Sequence, residues 1–116
     1  MQTGNLYTDA SPPETGERFD TLLRHKGLHI ERIVSASKIE HQQYVQAQDE
    51  WVALLQGQAV LDVAGKRLTL QSGDHVFLPS GTPHTVLSAS EGALWLAVHL
   101  HETIREASLK PQTATP

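Results

Sequence analysis

From Leu28 to His101 the chain is a succession of short apolar runs, each broken by turn residues after about ten positions, the spacing of an all-β sandwich or barrel. Leu28–Val34 opens the series, and Glu40–Val45 is a weaker second strand. Trp51–Gln56 is an apolar run stopped by Gly57, after which Gln58–Ala64 alternates. Ala64-Gly65-Lys66 carries the tightest hairpin signal, because glycine admits the backbone that a two-residue turn demands, and it leads into Arg67–Leu70. Val76–Leu78 and Thr85–Ser88 flank a turn running from Pro79 to Pro83. Ser90-Glu91-Gly92 then turns the chain into the last long strand, Ala93–His101.

The flanks read differently. Residues 1–13 are polar and end in Pro12-Pro13, as an arm or loop does. Ser11-Pro12-Pro13-Glu14 has the spacing of a capping box, Phe19, Leu22 and Leu23 share one helical face, and Gly27 supplies a stop. This pattern predicts a short helix over 14–24 that covers one end of a sheet. The organisation expected is therefore an arm and helix over 1–27, one barrel over 28–101, and a tail over 102–116. Within the tail, Glu102–Leu109 reads as a weak helix and Lys110–Pro116 as disordered.

Composition narrows the class and the partners. A chain of 116 residues, 39% hydrophobic and 19% charged, suits one globular domain with one modest core. The net charge is −4 and Lys and Arg are scattered, so no basic stripe is available to a phosphate backbone. Without cysteine there is no disulfide, no thiolate metal site and no Cys nucleophile. Met1–Ala10 lacks the apolar core of a secretory signal, and Ala93–Val98 is too short to cross a bilayer. These features together predict a cytoplasmic protein that engages neither nucleic acid nor membrane.

The candidate chemistry begins at Gly73-Asp74-His75-Val76-Phe77-Leu78-Pro79-Ser80-Gly81-Thr82-Pro83-His84. Pro79 and Gly81 set a turn that delivers one histidine into the next strand. The segment resembles the second motif of the cupin family, G-D-x4-P-x-G-x2-H. Glu50 to Gly57 is similar to the E-x6-G end of that family's first motif. The resemblance covers about residues 28–101. It extends, through Asp49-Glu50-Trp51-Val52 and Trp95-Leu96-Ala97-Val98-His99, to small single-domain cupins of the cupin-2 type. It implies a small antiparallel β-barrel (jelly roll), a homodimer, and a divalent transition metal (Zn, Fe, Mn or Ni) bound by four side chains. Glu50 and His84 stand in two of those ligand places. The H-x-H pair of the first motif is absent: Tyr44 and Gln46 occupy it in one register, Gln43 and Val45 in the other. A neutral phenol is a poor ligand and an amide oxygen a weak one, so metal held through Glu50 and His84, helped by Gln46, is expected to be loose.

The last strand offers a further donor. Trp95, Ala97, His99 and His101 lie on one face and Leu94, Leu96, Val98 and Leu100 on the other. With the apolar face inward the histidines are solvated. With the Trp/His face inward, His99 replaces a missing ligand or acts as a general base. Tyr44 and Trp95 are then pocket residues. The remaining histidines read as surface groups: His75 is out of phase with Val76 and Leu78, and His25 and His29 flank the helix stop, where a cation suits a helix C-terminus. His41 reads as a surface position. Trp51 reads as packing in a core or interface.

Three functions are compatible with these residues: His84, Glu50 and His99 are the catalytic candidates of an enzyme, and Tyr44, Gln46, His84 and His99 the hydrogen-bond partners of a small carboxylate or sugar-like ligand in a binding module. One is a weakly metal-binding cupin that takes a small polar ligand and, as an enzyme, acts as a dioxygenase or isomerase. Another is a metal-free binding module or sensor. The last is acid–base catalysis by Glu50 and His84, as in a lyase or epimerase.

Overall fold

A computed structural model of the protein describes residues 1–102. Nine strands follow in order: β1 (Glu17–His25), β2 (Leu28–Ser35), β3 (Gln43–Tyr44), β4 (Asp49–Gln56), β5 (Gln58–Val63), β6 (Lys66–Gln71), β7 (His75–Leu78), β8 (His84–Ala89) and β9 (Ala93–Leu100). All pairings are antiparallel. They build a five-stranded sheet in the order β1-β2-β9-β4-β7, facing a four-stranded sheet in the order β3-β8-β5-β6. The core lies between the two layers and includes Ile33, Val52, Leu54, Leu61, Leu70, Leu78, Trp95 and Ala97. Leu54 is wholly buried, and burial of one such side chain contributes roughly 1.5–3 kcal/mol.

The expected barrel is present, but the expected helix over 14–24 is not. That segment is β1, hydrogen-bonded along β2, and no helix occurs among the described residues. The sequence pattern has a physical cause: a β-bulge between Thr21 and Leu23 inserts Leu22 and breaks the period-2 alternation. Phe19, Leu22 and Leu23 then fall at helix-like spacing. Gly27 sits in the β1–β2 hairpin turn beside Lys26, whose φ is 54°. His25 and His29 therefore flank a hairpin, not a helix end. The second strand, expected over Glu40–Val45, shrinks to the two residues of β3. The C-terminal helix expected over 102–109 lies outside the described residues except for Glu102, and the tail over 110–116 lies wholly outside them.

Two turns position the site. Gly57 closes β4 onto β5 with φ 101°, and a Cβ there would come within 2.6 Å of Ser90 Oγ and 3.1 Å of Ala93 Cα. The turn after β7 is latched to the strand pair that carries the first-motif residues. Gly81 N–H donates to Gln46 O at 2.7 Å, and Ser80 N–H donates to Asp49 Oδ1 at 2.8 Å. The same latch that shapes the turn thus fixes His84 against Gln46 and Glu50. On the outer side, the Arg32 guanidinium holds the N-terminal arm by donating to Leu6 O and Thr8 O, and it pairs with Asp20 at 2.8 Å.

Candidate functional site: a carboxylate–histidine cavity

The site follows from strand register. Inward-facing residues of the five-stranded sheet line up across the strands: His29 of β2 stands opposite His99 of β9, which stands opposite Glu50 of β4. Glu31 stands opposite Ala97. A methyl group there leaves room for the longer carboxylate to reach His99. From the facing sheet, β8 contributes His84, paired across to Tyr44 of β3. These residues surround a cavity of about 180 Å3. Its walls are Glu17, Phe19, Glu31, Tyr44, Gln46, Glu50, Trp95, His84 and His99, with Ile33, Val52, Leu61, Leu78 and Val86 as apolar floor.

Hydrogen bonds fix which ring nitrogens are free. His84 Nδ1 lies 3.0 Å from Thr82 O, a carbonyl that only accepts, so Nδ1 carries the proton and Nε2 presents its lone pair to the cavity. His99 Nε2 lies 3.0 Å from Glu31 Oε1, so it donates to the carboxylate. His99 Nδ1 then accepts from Gln48 Nε2 at 3.2 Å. Glu50 Oε1 faces both of these ring nitrogens, 3.8 Å from His84 Nε2 and 4.0 Å from His99 Nδ1. Gln46 Nε2 donates to Glu50 Oε1 at 2.9 Å and faces His84 Nε2 at 3.3 Å, while its carbonyl oxygen accepts from Gln48 Nε2.

Charge is concentrated here. Burial pushes the Glu50 carboxyl up; the positive charge of His99 and His84 opposes this, and Glu31 adds to it. Burial also pushes Glu17 up, against a hydrogen bond from Ser35 and with the help of Glu50 and Glu31. The hydrogen bond to Glu31 holds the His99 imidazolium up despite its burial. His29 is pushed down, by burial first and then by Arg24.

Of the site residues expected from sequence, Glu50, His84, Gln46 and His99 meet at one point. Tyr44 and Trp95 line the cavity beside them. His99 is 7% exposed, and Trp95 is 3% exposed, on the inward face. Tyr44 occupies a first-motif histidine place but stacks on His84, ring centroids 5.8 Å apart, rather than offering a donor to the centre. Four residues escaped the sequence reading: Glu17, His29, Glu31 and Gln48. His29 and Glu31 share an inward face with Ile33, which period-2 alternation exposes once β2 is known to be buried. Glu17 was hidden by the helical reading of its segment.

A divalent metal is the group this fold implies, and Glu50 fits one with each of the two histidines taken in turn. Two ligand atoms bound at about 2.1 Å lie roughly 3 to 4.2 Å apart, the range that the Glu50–His84 and Glu50–His99 separations occupy. Thr82 O and Glu31 act as the outer partners that orient the two imidazoles. A second set, His29, Glu31 and His99, brings its ligand atoms within 4.8 Å of one another. The two sets compete for one imidazole: the inner set uses His99 Nδ1, and the second needs Nε2, which is already committed to Glu31. The inner set needs no change of tautomer, but its three ligand atoms do not all lie within 4.8 Å of one another, and His99 Nδ1 has to give up its bond from Gln48.

A two-layer antiparallel β-barrel enclosing a histidine–carboxylate cavity defines a class of small barrel domains. Within that class, residues 34–99 match the family model Cupin_2, the cupin domain, and the chain belongs to this family. Among solved structures it is similar to a candidate mannose-6-phosphate isomerase from Ralstonia eutropha JMP134, at 33% identity and TM-score 0.79, over 87% of this chain and 99% of that one. It is also similar to an RmlC-like cupin from Shewanella frigidimarina NCIMB 400, at 17% identity and TM-score 0.68, over 78% and 80% of the two chains. Fe(II)-HppE with the alternative substrate (S)-1-HPP shares the fold at 18% identity and TM-score 0.65, over 73% of this chain and 50% of that one. No curated protein matches the chain.

Proposed function

We propose that this cupin binds a small polar ligand in its barrel cavity beside a weakly held divalent transition metal, with Glu50, His84 and His99 as the metal's protein ligands. The observation that carries the reading is the approach of His84 Nε2 and His99 Nδ1 to within 4.0 Å of one buried carboxylate oxygen. Two histidines and one carboxylate with open positions suit Fe, Mn, Zn or Ni, and such an ion supplies Lewis acidity to a ligand when bound. Weak binding follows from Gln46, whose amide already satisfies Glu50 and faces His84 and has to be displaced or turned. The Gln46 amide also favours a second reading, metal-free acid–base chemistry by Glu50 and His84, because it holds the pair 3.8 Å apart without an ion.

Elemental analysis of protein purified without a histidine tag, beside His84→Ala, tests the first reading. Metal is expected in the wild type at well over about a tenth of an equivalent per chain under replete conditions, and lost in the variant. Wild type below that level contradicts the proposal.

The family resemblance and the apolar outer face of the five-stranded sheet support a homodimer. The absence of cysteine from the chain supports a cytoplasmic setting. Among the described residues no helix is long and apolar enough to cross a membrane.

A further inference from the structure

We propose that the cavity selects a small organic ammonium ion, anchored by the Glu17 carboxylate; this rests on the barrel cavity being the ligand site. The lining presents three carboxylates, from three different strands, and neither lysine nor arginine. Glu31 and Glu50 each face a histidine ring nitrogen within 4.0 Å, whereas Glu17 forms no ion pair among the described residues, so the guest favoured beside it brings the opposite sign. The conclusion holds with or without the metal. A divalent ion at Glu50, His84 and His99 leaves three carboxylate charges facing two positive ones, and Glu17 lies outside that set.

Glu17 is built to receive a ligand. Its Oε2 accepts from Ser35 Oγ at 2.9 Å, and Ser35 Oγ accepts from Trp95 Nε1 at 3.0 Å. Ser35 is wholly buried and Trp95 nearly so, and a relay from such rigid donors fixes the carboxylate's direction. The other oxygen of Glu17 makes no hydrogen bond among the described residues and is not sealed from solvent, so it is open to a ligand. Beside it, Phe19, Tyr44, Ile33 and Val86 offer an apolar and aromatic wall, which suits an alkyl chain carrying a cationic head. The cavity's 180 Å3 is about six water volumes, room for a short alkylamine.

The same lining disfavours a phosphorylated ligand. A phosphate brings further negative charge and depends on cationic side chains or clustered N–H groups to receive it. The phosphosugar in the name of the Ralstonia relative is therefore not carried to this cavity.

Calorimetric titration of metal-stripped and metal-loaded protein with n-butylammonium, 1-butanol, butyrate and mannose 6-phosphate tests the proposal, with metal content measured on each sample. Butylammonium is expected to bind about tenfold or more tighter than butanol in both forms, the scale of one charge-assisted hydrogen bond, with no binding of the two anions. Glu17→Gln is expected to abolish that preference while keeping its metal content. Ser35→Ala, which frees the carboxylate and also removes the acceptor of Trp95 Nε1–H, is expected to weaken it. Butyrate or mannose 6-phosphate binding as tightly as butylammonium overturns the proposal, as does an undiminished preference in Glu17→Gln or no butylammonium binding at all. A retained ammonium preference in a wild type that takes up no metal overturns the metal reading alone.

Discussion

His99 is the side chain on which the site turns. Its Nε2–H is spent on Glu31, and its Nδ1 lone pair faces Gln48 and Glu50, so one ring couples two carboxylates on neighbouring strands. The charge shifts around it give the cavity a definite pH response. Glu17 and Glu50 are raised, chiefly by burial, so ionising them costs stability as pH rises from the ordinary carboxylate range through their folded values. His99 is raised by its bond to Glu31, so its contribution is complete below its ordinary value of 6.5 and is lost as pH rises through the folded value. All three act in one direction, and His29, pushed down by burial, opposes them only below its ordinary value of 6.5, so the fall is read above that value. The urea midpoint of metal-free protein is expected to fall as pH rises above the mildly acidic range, and Glu50→Gln is expected to flatten that fall. A midpoint that climbs toward alkaline pH contradicts the assignment. Glu50 and His84 were legible in the sequence because turn residues at fixed spacing mark them. Glu31 was not, since only cross-strand register and a small residue at Ala97 bring it to His99, and Gln48 reaches that ring from the loop before β4.

At the level of elements, the alternating runs from Leu28 onward gave the strands because each buries one face against the facing sheet. The failure at β1 is equally physical. A single bulge residue, Leu22, shifts the alternation by one and imitates a helical stripe. Tertiary pairing with β2 then decides the matter, because β1 gains hydrogen bonds along its length. Gly57 is the element-scale feature that the sequence did mark correctly, as a strand stop, although its reason is spatial. Gly57→Ala places a methyl group against Ser90 and the Ala93 backbone at a φ of 101°, so it is expected to cost about 2–3 kcal/mol. Chemical denaturation measures this, and a cost under about 0.5 kcal/mol would mean that the β4–β5 turn relaxes freely.

At the scale of the molecule, the outer face of the five-stranded sheet carries an apolar row that crosses all five strands. Phe77, Trp51, Val98, Ile30 and Leu23 stand opposite one another in register. Phe77 is 57% exposed and Trp51 37%, and Leu100 on the same sheet is 57% exposed. A contiguous apolar surface of this kind marks an interaction site, and a homodimer through this sheet is the proposal it supports. Light scattering on the eluting protein is expected to give twice the chain mass, and Trp51→Glu with Phe77→Glu is expected to halve it. A wild type that elutes as a monomer at micromolar concentration contradicts the pairing. The same sheet carries the cavity on its other face, so the exposed and buried sides of β4 and β9 serve separate ends.

The most direct measurement of the central claim is nitrogen NMR of the histidine rings during titration of the protein with Zn2+. Before metal, His84 is expected to carry its proton on Nδ1 and His99 on Nε2, as Thr82 and Glu31 dictate. On adding metal, His84 Nε2 and His99 Nδ1 are expected to shift together while His29 stays unmoved. Shifts at His29 and His99 Nε2 with His84 silent would place the ion in the second set, and rings that never respond would contradict metal binding in this barrel altogether.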